Sequence, residues 1–246
     1  ILTRLVGSEM CIRDRPGFSS RQTGIITNAN SLWLNDKPFK KDLELALNRE
    51  VRLMNDANCF TLSEAVDGAG KDYKSIFGII IGTGFGGGLS YNKSIIEGSN
   101  QIAGDWGHQP LPYPTKEEQE IKISCPSNNC GRPLCAEQFM SGIGFKDRFN
   151  QKHDTNFTSE EIVKLDLEND PRANLELGLY EDRMARLMAV MIGIFDPDAI
   201  ILGGGMSNID RFYKNIPSLI PKYTFSNKIE TKICLLYTSP SPRDAL

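Results

Sequence analysis

The sequence predicts an α/β protein, and three observations carry that expectation. Apolar runs of strand length lie at residues 76–81 and 199–202, and each feeds a glycine turn. A sustained helical period covers residues 174–195. Strand-like and helix-like segments alternate along the chain, with no internal repeat or low-complexity stretch. Element by element, residues 17–33 are rich in Gly, Ser, Thr and Asn and read as loop and short strand. Pro38 opens a helix over 38–48 that sets Phe39, Leu43, Leu45 and Leu47 among charges. Residues 50–54 alternate and run into Asn55 and Asp56, a strand delivering those side chains at its carboxyl end. Helix formers fill 56–66, and Asp67-Gly68-Ala69-Gly70 ends them. Residues 88–91 and 95–96 suggest a hairpin turning at Asn92-Lys93. A helix is expected over 136–145, followed by a mixed polar stretch over 146–171. In the long helix, Leu177, Tyr180, Met184, Leu187, Met188 and Met191 recur every three or four residues, the mark of core or of a subunit interface. Asp196-Pro197-Asp198 ends it.

With 246 residues and 40% hydrophobic content the chain can bury a large core. A net charge of −3 gives no electrostatic case for nucleic acid or an anionic membrane, and no run approaches a membrane span. Residues 2–7 are too short and wrongly flanked for a signal peptide, so the cytoplasm is the expected location. The ends are unusual. Residues 5–14 (LVGSEMCIRD) and 234–244 (CLLYTSPSPRD) can be encoded by opposite strands of one DNA segment, which resembles a transposon adapter. Residues 1–15 and 234–246 are therefore read as adapter-derived rather than genuine termini and set aside, leaving 16–233 as a piece cut at both ends. Away from those ends, Cys59 stands alone while Cys125, Cys130 and Cys135 cluster. An odd cluster in a cytosolic protein favours metal over disulfides.

Four constellations carry the chemistry: Asn55-Asp56-Ala57-Asn58, the glycine turn 82–88, Asp105-Trp106-Gly107-His108, and 130–137 from Cys130 to Glu137. Together they are the equipment of a small-molecule kinase. Asp56 is the candidate general base, since transfer of a phosphoryl group to a hydroxyl needs a carboxylate to accept the proton; it could equally cap the following helix. Gly82, Thr83 and Gly84 follow a strand and can set backbone N–H groups and a hydroxyl against phosphate, although a plain hairpin turn tolerates such glycine too. Gly203, Gly204 and Gly205 offer bare backbone to a nucleotide base or ribose. His108 with Cys125, Cys130 and Cys135 forms a one-His, three-Cys set suited to structural zinc, the alternative being buried thiols beside a core histidine. With one ring nitrogen on zinc, the other can donate to a sugar hydroxyl, and Asp105 and Glu137 can accept from vicinal hydroxyls.

These residues resemble the ROK family of sugar kinases and sugar-responsive repressors, whose signature runs Glu-x-Gly-His and then Cys-x-Cys-Gly-x-x-Gly-Cys-x-Glu. The resemblance covers residues 16–233 and is greatest to bacterial fructokinases and mannokinases, through Thr23-Gly24-Ile25-Ile26, Asn28-Ala29-Asn30-Ser31, Trp33-Leu34-Asn35, Arg49-Glu50-Val51-Arg52-Leu53, Ser63-Glu64-Ala65-Val66-Asp67-Gly68 and Gly203-Gly204-Gly205-Met206-Ser207-Asn208. It implies an actin-like (ribonuclease H-like) two-domain ATPase fold, with 16–70 the remnant of a small domain and 71–233 the large, zinc-bearing one. It further implies Asp56 as base, Asn30, Asn55, Asp105, His108 and Glu137 on the sugar, ATP with Mg as donor, Zn on His108 and the cysteines, and a homodimer. Four features depart from the family. Asp105 replaces Glu, Asn128 stands where the first cysteine falls, Leu134 replaces a glycine, and the amino-terminal phosphate loop Asp-x-Gly-Gly-Thr-Lys and the closing carboxyl-terminal segment are absent. The expected activity is phosphorylation of a hexose, D-fructose to fructose 6-phosphate first, by a parent enzyme of which the present chain alone is inactive. The alternatives are an N-acetylglucosamine or glucose kinase, or a ROK repressor.

Overall fold

The computed structural model describes residues 11–15, 18–19, 24–27, 34–121, 125 and 130–237. Asn128 and the whole of 28–33, Asn30 included, lie outside the described residues. In chain order come β1 (Cys11–Arg15), β2 (Phe18–Ser19), β3 (Ile26–Thr27), α1 (Phe39–Leu47), β4 (Val51–Asn55) and α2 (Asp56–Val66). There follow β5 (Ser75–Ile81), β6 (Phe85–Tyr91), β7 (Ser94–Ile95), α3 (Lys116–Glu120), α4 (Ala136–Met140), α5 (Gly142–His153), α6 (Ser159–Leu167), α7 (Pro171–Phe195), β8 (Ala199–Gly203), α8 (Asp210–Leu219) and β9 (Lys232–Leu235).

β1 pairs parallel with β4, and β2 antiparallel with β3. The main sheet has the order β7-β6-β5-β8-β9, with β6 antiparallel to β5 and both β8 and β9 on the parallel side. The segment boundaries expected at 15/16 and 233/234 fall at the end of β1 and inside β9. Ile76, Phe77, Ile79 and Ile81 of β5 and every residue of β8 are buried, as a central pair covered on both faces demands. One side chain sets the relative height of these strands. The Asp198 carboxylate, just before β8, accepts from the Lys74 N–H (3.0 Å), the Ser75 N–H (2.8 Å) and the Ser75 hydroxyl (2.9 Å) at the start of β5. The β6–β7 hairpin turns at Asn92 and Lys93, both left-handed at φ 50° and 59°, as its sequence predicts.

α2 packs on this sheet because the strands beneath it carry glycine. A Cβ at Gly88 would stand 3.0 Å from the Ala57 carbonyl oxygen and closer still to Asn58 and Thr61. The long helix α7 starts where Asp170 accepts from the N–H groups of Arg172 (2.8 Å) and Ala173 (3.4 Å), with Pro171 in its first turn. It stops at Asp196 in the left-handed conformation, ahead of Pro197. Met184 and Met188 are fully buried in the main core, so the methionine stripe is core packing.

Two expectations need correction, and one helix lies where no element was expected. The single helix over 136–145 is two helices, because Ser141 leaves the helical region (ψ 154°) and its hydroxyl caps α5 by accepting from the Gly144 N–H. The polar stretch 146–171 contains α6, begun by a capping box between Thr158 and Glu161. α8 follows the last glycine run and went unanticipated, with Pro217 inside it.

Two consequences for stability arise here. Gly204 sits at φ +85°, and a Cβ there would lie 2.4 Å from the Ile81 carbonyl oxygen. Gly204→Ala is therefore expected to cost about 2–4 kcal/mol, strain and backbone displacement together, read as a lower midpoint in urea. Glu118 of α3, 3% exposed, is gripped by Arg183 (Nε, 2.7 Å) and Arg186 (Nη2, 2.7 Å) of α7. Burial by itself would raise its pKa; hydrogen bonds from Arg186, the Thr115 N–H and Arg183 win and hold it at about 2. A carboxylate depressed from the usual 4.5 contributes stability that is whole above that value and is lost as pH falls towards 2. The shift corresponds to about 3 kcal/mol. Glu118→Gln should remove most of that and flatten the acid limb of the stability-against-pH curve between pH 4.5 and 2.

Candidate functional site

The site is assembled where β4, the β5–β6 turn, the 105–109 segment and the start of α4 meet. Asn55 closes β4 and is the true cap of α2: its Oδ1 accepts from the N–H groups of Ala57 (2.9 Å) and Asn58 (3.4 Å). Asp56 is the first residue of the helix, exposed, with one carboxylate oxygen 2.9 Å from the Ala57 N–H. Asn55 thus supplies the cap through two N–H groups, and Asp56 shares the Ala57 N–H with it. The Ala57 Cβ lies 4.0 Å from where a Cβ on Gly86 would stand, which brings the head of α2 against β6 just past the glycine turn.

Asp105 leads into Trp106, which stacks on Phe85 (5.1 Å between ring centroids) and meets Phe77 edge-on (4.7 Å). That anchor fixes the segment for its neighbours. Burial raises the Asp105 carboxyl pKa; His108 opposes the rise and the charge of Asp56 adds to it, so the three groups share one electrostatic neighbourhood. Backbone bonds then lock this segment to the start of α4: Glu137 N–H to the Gly107 carbonyl (2.7 Å), Ala136 N–H to Gln109 (2.8 Å) and Leu111 N–H to Leu134 (2.7 Å). Leu134, standing where the family carries glycine, adopts the left-handed conformation (φ 53°). Through this ladder Glu137 faces the glycine turn, its Oε2 accepting from the Phe85 N–H at 3.3 Å and its Oε1 from the Cys125 thiol at 3.7 Å. Burial raises the Glu137 carboxyl pKa, with His108 acting against it.

His108, Cys125, Cys130 and Cys135 converge, each offering a ligand atom within 4.8 Å of the others. Tetrahedral zinc with bonds of about 2.3 Å to sulfur places ligand atoms about 3.8 Å apart, so the residues fit the metal. Cys125, whose spacing departs from the family, is in the cluster: its sulfur is 4.0 Å from His108 Nδ1, against 3.5 Å for Cys135. Cys130 and Cys135 sulfurs are 3.5 Å apart. The imidazole is raised to about 9, first by its bond to Cys135, and the Cys135 thiol is lowered to about 4, first by its bond from Cys125. Because Nδ1 faces the sulfurs, Nε2 is the nitrogen left for a ligand. Arg132 donates to the His108 carbonyl at 3.1 Å and steadies the loop. The ring orientation and the Arg132 brace are features that residue spacing alone could not supply.

The glycine runs divide by role. Gly82 is held by its N–H to the Gly84 carbonyl (3.0 Å) and its own carbonyl accepts from Gly142 (2.8 Å), while a Cβ on it would meet nothing and Thr83 is exposed. Gly82 and Thr83 therefore face open space. In the second run, Gly203 lies under the Phe60 ring and Gly204 against Ile81, leaving Gly205 with open space. Gly203 and Gly204 are thus demanded by packing, and Gly205 is the one of the three that faces open space.

A ROK family profile matches residues 6–241. The N-acetyl-D-glucosamine kinase of Histophilus somni is 37% identical over 212 residues, covering 85% of this chain and 68% of that protein. Among solved structures, the ROK hexokinase of Thermus thermophilus superposes with a TM-score of 0.76 at 24% identity, over 91% of this chain and 72% of that one. A ROK glucokinase of Streptomyces griseus in complex with glucose and AMPPNP gives 0.75 at 20% identity, over 90% and 74%. A ROK transcriptional regulator homologous to the E. coli MLC protein gives 0.76 at 18% identity, over 91% and 57%. These likenesses establish the actin-like ATPase fold for the described sheet and helices. A profile spanning nearly the whole chain and a relative above a third identical lead to one conclusion: the chain belongs to the ROK family.

Proposed function

We propose that this chain carries the sugar-binding and base-bearing part of an ATP-dependent hexose kinase. The observation that carries the reading is the pairing of an exposed Asp56, at the head of a helix that Asn55 caps, with Asp105, His108 and Glu137 beside the glycine turn. In this mechanism a hexose sits with its hydroxyls on Asn55, Asp105, Glu137 and Nε2 of His108, with Asn30 a further sugar contact. The reacting hydroxyl gives its proton to Asp56 as its oxygen bonds to the terminal phosphorus of ATP and ADP leaves. Gly82, Thr83, Gly84 and Gly205, with Gly203 and Gly204 shaping the floor, would hold the donor, and Mg accompanies it as the usual phosphate counter-charge. Zinc, bound by His108, Cys125, Cys130 and Cys135, would fix the direction in which the imidazole donates. A sugar-responsive repressor keeps such a pocket without needing a base, and Asp56 is the feature that favours the kinase.

Among hexoses, similarity to N-acetyl-D-glucosamine kinases moves the preferred candidate from fructose to N-acetylglucosamine, while fructose remains the competitor that the motifs around 23–35 suggest. Assembly as a cytoplasmic homodimer belongs to the same reading. Incubating the full-length enzyme with Mg-ATP and each sugar in turn, then locating the new phosphate by phosphorus NMR, tests it. A 6-phosphate of N-acetylglucosamine or fructose supports the proposal, and no phosphorylated sugar from any hexose overturns it.

A further inference from the structure

A separate cavity of about 600 Å³ opens between α3, α5 and α7, lined among others by Glu118, Ile121, Arg148, Lys152, Leu179 and Arg183, and by none of the sugar-site residues. Two guanidinium groups stand in its wall almost sealed from solvent, Arg148 at 5% and Arg183 at 3% exposure. Arg148 Nη1 is fully used, donating to the carbonyls of Gln138 (3.0 Å), Phe139 (2.9 Å) and Gly144 (3.1 Å). Its Nε and Nη2 have no partner among the described residues. Those two N–H groups form one edge of the guanidinium plane, the fork that takes two oxygens of a carboxylate or phosphate side by side. Arg183 spends Nε on Glu118 (2.7 Å) and leaves Nη1 without a partner among the described residues.

The acids at hand are committed. Glu118 serves Arg183 and Arg186, and Glu176 serves Lys152. Glu117 and Glu120 are exposed on the rim. Both guanidiniums also lie over the Phe139 ring, 5.3 Å from its centroid, so their like charges share one apolar platform. Burial, and then the charge of Arg183, lower the Arg148 pKa to about 9. Buried donors left without acceptors are costly, and an oxyanion would satisfy them and offset the repulsion.

We propose that this cavity is a binding site for a small oxyanion, a carboxylate or phosphate group borne by a small metabolite, which takes the Nε/Nη2 fork of Arg148 and Nη1 of Arg183 after a small shift of the wall that uncovers these nitrogens, each closed to solvent as the side chains stand. Its volume suits a compact organic molecule, with Ile121 and Leu179 against the apolar part. The proposal does not rest on the kinase reading.

The test measures thermal unfolding and calorimetric binding with phosphate or acetate, against chloride at equal ionic strength. Two variants leave the arginines and their helix-end contacts intact: Leu179→Trp, which fills the cavity, and Gln151→Glu, which adds a negative charge at its wall. The expected result is saturable one-to-one binding by at least one anion, weakened about tenfold or more in both variants while circular dichroism stays unchanged. Phosphate stronger than acetate points to a phosphate-bearing ligand, and the reverse to a carboxylate. Neither anion differing from chloride, or binding kept in both variants and so seated elsewhere, such as the glycine turn, would overturn the proposal.

Discussion

Asp56→Asn in the full-length enzyme should lower kcat by about 10²–10⁴-fold, the usual contribution of a positioned general base, while the dissociation constant for the sugar changes by less than about threefold. The substitution keeps the size of the side chain and spares the cap, which Asn55 supplies through its own Oδ1. α2 should therefore keep its place on β6, and far-UV circular dichroism should not move. Steady-state kinetics paired with equilibrium sugar binding make the distinction. A fall of less than tenfold in kcat removes Asp56 from the base role, whereas equal losses in kcat and in binding make it a sugar contact.

Removing the metal should have the second largest effect. His108 and Cys125, Cys130 and Cys135 are contributed by three stretches of chain, and the backbone ladder between 107–111 and 134–137 runs through the cluster. With free zinc a thousandfold above its dissociation constant, linkage stabilises the fold by about 4 kcal/mol. For a chain of this size that is about 8–16 °C in Tm. Cys135→Ser, at the buried centre of the cluster, should abolish stoichiometric zinc, lower Tm by that amount and raise KM for the sugar more than it lowers kcat, because His108 loses its fixed direction. Elemental analysis and scanning calorimetry check it. Full-strength folding with no bound metal would show that the four residues pack as thiols and an imidazole without need of an ion.

Much of this was legible in the residues. The apolar runs at 76–81 and 199–202 became the adjacent central strands β5 and β8, since a continuous Ile-rich stretch has few options other than burial on both faces. The one-His, three-Cys set came together across a loop although one cysteine is displaced from the family spacing, and the backbone ladder between 107–111 and 134–137 holds the two ends of that loop together. The elements without an apolar period lie in polar sequence. The two capping boxes, Thr115 with Glu118 and Thr158 with Glu161, start α3 and α6, and their T-x-x-E spacing was present to be read. No local signal announces that Glu118 also anchors Arg183 and Arg186, which lie 65 and 68 positions away, since such a cluster is a property of tertiary packing. The packing demands on the second glycine run are non-local in the same way: that Gly203 lies under Phe60 and Gly204 against Ile81 cannot be read from the run itself.

The most direct test of the central claim is the initial rate of sugar-dependent ADP release by the full-length enzyme with Mg-ATP, measured for N-acetylglucosamine, fructose, glucose and mannose. A rate well above the sugar-free background is expected for at least one of them, with N-acetylglucosamine or fructose the best. A rate indistinguishable from background for all four, in protein that is folded and loaded with zinc, would contradict it.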